Sequence, residues 1–152
     1  EPGEDPDDIR QAIHIAHAEG FPVMAHANGA ETVIAACEEK VDSVEHGAYL
    51  NEEALCAMAE AGTVWVPTLS TIGNLRGKGR FREGEVEKIL ESAMKNVRRF
   101  AALGGLIAPG TDAGAWAVPH GSLTEYALLL EALGEDTDAL LEKGITVIRE
   151  KF

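Results

Sequence analysis

Three short apolar segments of this chain each end in a side chain that can bind a metal, and each then breaks at glycine. They occupy residues 23–29, 43–47 and 108–114, and they carry His26, His46 and Asp112 in that order. Short apolar runs bounded by glycine are typical of buried parallel strands. Parallel strands need long crossover connections, usually helices, so the pattern predicts a fold in which strands and helices alternate.

The rest of the chain fits this alternation. A polar N-cap residue precedes helical periodicity at Asp5 and Asn51, and a glycine follows it at Gly20, Gly62 and Gly134. Residues 122–125 (Ser-Leu-Thr-Glu) have the pattern of a capping box, which predicts a helix from there to Gly134. We predict strands over 21–25, 41–45, 63–69 and 106–109, and helices from about residue 5 to 20, over 30–39, 51–62, 85–103 and 122–134, and from 136 to the end.

The regular spacing allows a doubly wound sheet or a sector of a (β/α)₈ barrel. His46 follows His26 by 20 residues, and Pro67 follows His46 by 21, which is one compact strand–helix unit each. In (β/α)₈ barrels the active site gathers at the carboxyl ends of several strands, where His26, His46 and Asp112 are predicted to lie. No glycine-rich phosphate loop follows any strand. We therefore predict an α/β fold that forms half of a (β/α)₈ barrel with parallel strands.

Composition limits the possible partners. The chain has 152 residues, 45% of them hydrophobic and 26% charged, which is typical of one globular domain. The net charge of −13 argues against nucleic acid as a partner, and no apolar run approaches the roughly 18 residues of a membrane helix. Cys37 and Cys56 are interpreted as reduced, so we expect a cytoplasmic protein. Because the chain begins at Glu1, we expect it to be part of something longer.

Imidazole and carboxylate groups at three equivalent strand ends predict a metal centre. These groups are the usual ligands of zinc in hydrolases, where an open position holds water. Asp112 would be a ligand and also the catalytic proton carrier. A lone histidine at a strand end is more often an ordinary polar residue, but three ligand-type residues in successive units favour the metal.

Four motifs in order carry a resemblance to a known family. They are His-Ala-Asn-Gly at 26–29, Glu-His-Gly at 45–47, Val-Pro-Thr-Leu at 66–69 and Gly-Thr-Asp-Ala-Gly at 110–114. Together they resemble the fifth to eighth strands of the amidohydrolase superfamily, in the branch of imidazolonepropionase and the prolidase-like enzymes. The resemblance covers about residues 5–134.

The resemblance implies roles for the three residues. His26 matches the metal ligand of the fifth strand, His46 that of the sixth, and Asp112 the aspartate of the eighth strand that binds metal and carries the proton. One or two divalent ions, expected to be zinc, would activate water to hydrolyse a C–N bond of a small amide, dipeptide or cyclic amide. The choice between one ion and two stays open, as does the substrate.

The same resemblance implies that half of the site is missing. The family's His-x-His of the first strand and the lysine of its fourth strand are absent from this sequence. Residues 1–152 are therefore predicted to form a single partial catalytic domain, the C-terminal half of the barrel, inactive as an isolated chain. Its partner would be the N-terminal half.

A catalytically silent half-barrel is the alternative. Four strands would leave two unpaired edges and an uncovered apolar face, so such a chain would act as a folding or assembly module. It would pair with another chain or associate with itself.

Other candidate residues lie on loops and on the first helix. His120 and Trp116 follow Asp112 in the loop at the same end of the barrel, and both are candidates for substrate binding. His14 and His17 share a helix face, which favours a solvated helix edge over a metal pair. Residues 70–84 are predicted to be a flexible loop, and the basic residues at 76–82 either attract a substrate carboxylate or are simply solvated.

Overall fold

The computed structural model describes residues 4–114 and 118–152 of the chain. Strands and helices alternate along it, as the sequence predicts. In chain order the elements are α1 (Pro6–Ala18), β1 (Met24–Ala27), α2 (Ala30–Glu38), β2 (Ser43–His46), α3 (Glu52–Ala61), β3 (Val64–Val66), α4 (Leu69–Gly73), α5 (Glu83–Ala102), β4 (Leu106–Ile107), α6 (Thr124–Leu133), a 3₁₀ turn (Gly134–Asp136) and α7 (Thr137–Lys151).

The four strands form one parallel sheet in the order β1-β2-β3-β4. Ala27 pairs with His46, Val44 with Trp65, and Trp65 with Ile107. Since the strands are parallel, all their carboxyl ends lie at the same end of the sheet. The predicted fold class, α/β with parallel strands, is confirmed in this respect.

One face of the sheet packs against the layer of helices that connects the strands. Val44, Trp65 and Ile107 point to this face and belong to the main hydrophobic core. Trp65 lies edge-on to Phe100 of α5, with ring centroids 5.6 Å apart. This core fixes β2, β3 and β4 against their helices and so sets the positions of the loops that follow them.

The opposite face is partly covered by α7. Val64, Val66 and Ala108 are buried there against Ile145 and Ile148 of α7. The sequence predicts an uncovered apolar face. This prediction is wrong for β3 and β4, because the terminal helix folds back over them. On β1, at the other edge of the sheet, the side chain of Met24 is about half exposed.

Helix α7 also approaches the free edge of β4. The Ala108 N–H donates to the Trp65 carbonyl of β3, so the Ile107 carbonyl of the same peptide unit points away from β3. A Cβ atom at Gly144 of α7 would lie 2.1 Å from that Ile107 oxygen. The close contact is possible only because residue 144 has no side chain.

A buried carboxylate ties the first and last helices to the sheet at its amino end. Asp42, just before β2, accepts hydrogen bonds from the Val23 N–H and from Lys151 Nζ, and it pairs with His17 Nε2. Burial alone would raise the pKa of Asp42, but these hydrogen bonds lower it below its ordinary value. His14 instead lies 3.4 Å from Glu39. The two histidines of α1 thus have separate acidic partners.

The element boundaries differ from the predicted ones at several points, most clearly in β3, which spans Val64–Val66 instead of residues 63–69. The first strand begins at Met24 rather than at residue 21, since Pro22 has no N–H to give to a strand ladder. The segment predicted as a flexible loop from residue 70 begins inside α4, where Ser70 and Gly73 are buried. Among the described residues, no helix is long and apolar enough to cross a membrane.

Candidate functional site

The ends of three successive strands carry strained backbone. His46 ends β2 with φ of 69°, Thr68 follows β3 with φ of 46°, and Asp112 follows β4 with φ of 51°. Of the residues described, only Lys40 and Tyr49 are further non-glycine residues with positive φ. Such conformations cost about 1–3 kcal/mol each and cluster at functional sites. The strained residues therefore lie at the carboxyl ends of the strands, where the sequence also places the candidate ligands.

Trp65 and Gly47 hold the backbone of His46 in place. The indole Nε1 of Trp65 donates to the His46 carbonyl at 3.0 Å, and the Gly47 N–H donates to the Ala27 carbonyl. A Cβ atom at Gly47, where φ is 62°, would lie only 2.6 Å from Trp65 Nε1. The glycine of the Glu-His-Gly motif is thus required by both conformation and space.

The two candidate histidines are in contact. Their ring centroids are 4.3 Å apart in an edge-to-face arrangement. His46 Nδ1 lies 2.7 Å from Thr68 Oγ1, so its Nε2 is the nitrogen left for a ligand. Burial lowers the pKa of His46, the neighbouring His26 lowers it further, and the charge of Asp112 opposes both. His46 therefore favours the neutral imidazole, which is the form that binds metal.

Asp112 is exposed on the loop after β4 and acts on His46 through its charge. The preceding residue, Thr111, is fixed by Ser70, whose hydroxyl donates to the Thr111 carbonyl at 2.9 Å. Residues 4–114 and 118–152 contain no group of three or more His, Cys, Asp or Glu side chains arranged to hold a metal ion. The predicted ligands lie in one region, but their role as a metal site stays a prediction.

A cavity of about 460 Å³ opens beside these residues, and His26, His46 and Asp112 all line it. One wall is apolar, with Ile72 of α4 and Ile89 of α5. The polar lining outside the three candidate ligands includes Asn28, Tyr49, Lys88 and Asn96. A concave, mostly apolar pocket with a few convergent polar groups is typical of a site for a small molecule.

Glu125 is a buried carboxylate, whereas the sequence predicts it as the last residue of a capping box. Its Oε2 accepts from the Ser70 N–H at 2.6 Å, and burial raises its pKa to about 7. The predicted capping box is wrong, because Leu123 is the N-cap of α6, no side chain caps it, and Glu125 reaches across to α4 instead. Glu125 precedes Leu128 and Leu129 of the buried stripe by three and four residues, and this spacing was the available signal.

Among the secondary candidates, His120 is exposed, and its ring lies near Gly114. It is not one of the described residues that line the cavity. Trp116 lies outside the described residues. In the basic segment, Arg76 pairs with Glu87 and Arg82 with Glu85. The substrate roles predicted for these residues stay predictions.

Comparison with solved structures identifies the barrel. The chain superimposes on a Xaa-Pro dipeptidase with a TM-score of 0.79 and 26% identity, covering 99% of this chain and 39% of that one. It superimposes on the ochratoxinase of Aspergillus niger with a TM-score of 0.75 and 24% identity, covering 95% of this chain and 34% of the other. The four-stranded sheet is therefore half of a (β/α)₈ barrel.

The chain is also similar in sequence to curated proteins. An uncharacterised protein of Mycobacterium tuberculosis is 28% identical over 134 residues, which are 84% of this chain and 36% of the relative. The ochratoxinase of Aspergillus niger is 29% identical over 112 residues, or 70% of this chain and 23% of that protein. The resemblance to the amidohydrolase superfamily, on its prolidase-like side, is confirmed.

The chain matches only part of each of these proteins. The chain spans 23–39% of the length of the relatives and structures it matches. No family model matches the chain.

Proposed function

We propose that this chain supplies the C-terminal half of the active site of a metal-dependent hydrolase of the amidohydrolase superfamily. The reaction would be hydrolysis of a C–N bond in a small amide or dipeptide, completed by residues of an N-terminal half-barrel. The observation that carries the proposal is the contact of His26 with His46 at the strand ends, beside a cavity that Asp112 also lines.

The residue types at these strand ends support a divalent ion. His46 contacts Thr68 through Nδ1, and burial lowers its pKa, which favours the neutral ring. His26 stands next to it with an exposed ring, and Asp112 adds a carboxylate. Two imidazoles and a carboxylate are a common partial ligand set for zinc.

Each residue would have its own task. His26 and His46 would hold the ion, and the hydrogen bond to Thr68 would keep the His46 ring in one orientation. Asp112 would take a proton from the attacking water and give it to the leaving nitrogen. The ion, when bound, would supply the positive charge that makes water acidic and the substrate carbonyl electrophilic.

The similarity to a Xaa-Pro dipeptidase supports a small peptide-like substrate. The cavity has room for one, and its apolar wall at Ile72 and Ile89 suits a hydrophobic side chain. The exposed Lys88, at the rim of the cavity on α5, would face a negatively charged group of such a substrate.

Zinc binding by the chain tests the proposed ligands. We expect His26→Ala and His46→Ala each to weaken zinc affinity by more than about tenfold, since even residues that only orient ligands contribute that much. Isothermal titration with zinc chloride measures the change. His14→Ala is the matched control, because it removes an exposed histidine from α1. Equal affinity in all four proteins would contradict the assignment.

The proton carrier needs the complete barrel. In an assembly that also contains the N-terminal half, Asp112→Asn should abolish most of the hydrolysis of a dipeptide substrate. Unchanged turnover in this variant would exclude Asp112 from the proton-transfer role.

The silent assembly module is the second candidate. It is favoured by the free edge of β1, where Met24 is exposed on the face that α7 leaves open. Sedimentation of the purified chain separates the two ideas when combined with zinc titration. A self-associated species that binds no zinc supports the module, whereas zinc binding at His26 and His46 supports the hydrolase.

A further inference from the structure

Glu125 is the most deeply buried carboxylate among the described residues, with 1% of its surface exposed. It lies on α6 but does not cap that helix. Its Oε2 accepts the N–H of Ser70 at 2.6 Å. Its second oxygen, Oε1, is buried with no hydrogen-bond partner among the described residues. Burying a charge is costly unless hydrogen bonds or an opposite charge compensate it.

The contacts of Glu125 replace the ordinary cap of α4. Thr68 is the N-cap residue of α4, a position where a threonine hydroxyl usually accepts a backbone N–H. Here it makes no such bond, and its Oγ1 instead lies 2.7 Å from His46 Nδ1. Glu125 binds the start of α4 from another helix, so the Thr68 side chain is available to His46.

The same carboxylate is connected to the other side of the site. Ser70, held through its N–H by Glu125, donates its hydroxyl to the Thr111 carbonyl. Thr111 precedes Asp112, whose backbone is left-handed. One buried group therefore supports two strained strand ends, after β3 and after β4.

We propose that Glu125 is a positioning residue that sets the orientation of His46 through Thr68 and of Asp112 through Ser70 and Thr111. The proposal rests on the function proposed above, since it assigns the two positioned side chains to the active site. It predicts that loss of the carboxylate disturbs both ends of the site and leaves the rest of the fold in place.

Nitrogen-15 NMR of the full chain at one fixed pH tests the His46 branch. In Glu125→Ala we expect the chemical shift of His46 Nδ1 to change and the backbone amides of residues 111–113 to move. Glu125→Gln keeps a carbonyl oxygen for the Ser70 N–H, so it should retain the signals of the unmodified chain. A folded Glu125→Ala protein with unchanged His46 and 111–113 signals overturns the proposal.

Thr63→Val is the matched control for a general loss of stability. Its hydroxyl is also buried and donates to the Val41 carbonyl, but at the amino end of β3. We expect it to lower stability without moving the His46 signal. A change at His46 as large as that of Glu125→Ala would mean that any buried polar loss disturbs the site, and the specific role would fail.

Ser70→Ala separates the two branches and serves if Glu125→Ala does not fold. It removes the hydroxyl that binds Thr111 but keeps the N–H that binds Glu125. The amides of 111–113 should move while His46 stays as before, and unmoved amides would overturn the Asp112 branch.

Zinc chloride titration of the same proteins links the positioning to the metal. We expect affinity to fall about tenfold in Glu125→Ala and to remain near that of the unmodified chain in Glu125→Gln. If the unmodified chain binds no zinc, the proposed metal role fails, whereas the NMR comparison still decides the role of Glu125.

Discussion

His46 has a left-handed backbone because its neighbours compensate for the strain. The Trp65 indole binds its carbonyl, and Gly47 leaves room for that indole. Since Trp65 also packs against Phe100 in the core, the conformation of His46 depends on the packing of the whole helix layer. A substitution at residue 47 should thus affect both stability and the site.

Gly47→Ala should destabilise the chain by about 1–3 kcal/mol, because its Cβ meets Trp65 Nε1 and its φ is positive. Urea unfolding measures the change. Gly84→Ala is the control, since a Cβ there has open space and a helical backbone. The control should change stability by less than about 1 kcal/mol. Similar losses in both variants would contradict the proposed clash.

Glu125 predicts an unusual dependence of stability on pH. Its pKa is about 7 in the folded chain and 4.5 in the unfolded one, so the folded state binds more protons between these values. Its contribution is therefore most favourable below pH 4.5 and is lost as the pH rises through 7. A difference of this size corresponds to roughly 3 kcal/mol.

Glu125→Gln isolates this contribution. Urea unfolding in the presence of a chelator, at pH 5 and pH 8, should show that the variant loses less stability over this interval than the unmodified chain. The comparison is needed because His46, whose pKa is lowered, contributes with the opposite sign. Asp42 titrates below this range. Parallel pH profiles for the two proteins would show that Glu125 does not titrate in this way.

The sequence predicted the candidate ligands but not what holds them. His26, His46 and Asp112 were found from residue type and from the glycine that follows each segment. The positive φ values and the Glu125 contacts depend on how α6 packs on α4, which no local pattern encodes.

Among the elements, the helices show which local sequence signals were sufficient to predict their ends. Asp5 and Asn51 cap α1 and α3 with their side chains, and Gly62 ends α3 with a left-handed conformation. These signals are local in sequence, so they could be predicted. Helix α4 has five residues, and its own N-cap residue makes no side-chain cap. A helix this short is stable only through tertiary contacts. Because α4 depends on contacts with other parts of the chain, local sequence signals did not predict it.

Asn51→Ala should destabilise the chain by about 1 kcal/mol, because the Asn51 side chain accepts the Ala54 N–H at 2.9 Å. Thermal or urea unfolding measures the loss. Asn51→Asp keeps an acceptor at the same helix end and should retain nearly all of the stability. An equal loss in both variants would show that the cap is not the cause.

For the whole molecule, α7 determines how the open side of the half-barrel is protected. Its apolar residues bury Val64 and Val66, and its Lys151 reaches Asp42 at the far end of the sheet. The terminal amphipathic helix was predicted from the spacing of its apolar residues. Its packing was not, because periodicity indicates an apolar face without saying what the face contacts.

Gly144→Ala tests this packing, because the structure predicts that the variant loses stability and a solvated helix predicts that it gains stability. In a solvated helix the change stabilises by up to about 1 kcal/mol, but here the added Cβ would meet the Ile107 oxygen. We expect a loss of about 1–3 kcal/mol and faster proteolysis within residues 137–151. Thr146→Ala, at an exposed position of the same helix, should show neither. A stabilised Gly144→Ala chain would mean that α7 lies elsewhere.

The position of Gly144 against Ile107 would make the two edges of the sheet kinetically unequal toward a second chain. A chain that brought further strands could pair with β1 at once, whereas pairing with β4 would first require α7 to leave. The second event would be a unimolecular opening, so its rate would stop rising as the concentration of the incoming chain increased. Ring closure would then follow a fixed order, with β1 joined first and β4 last.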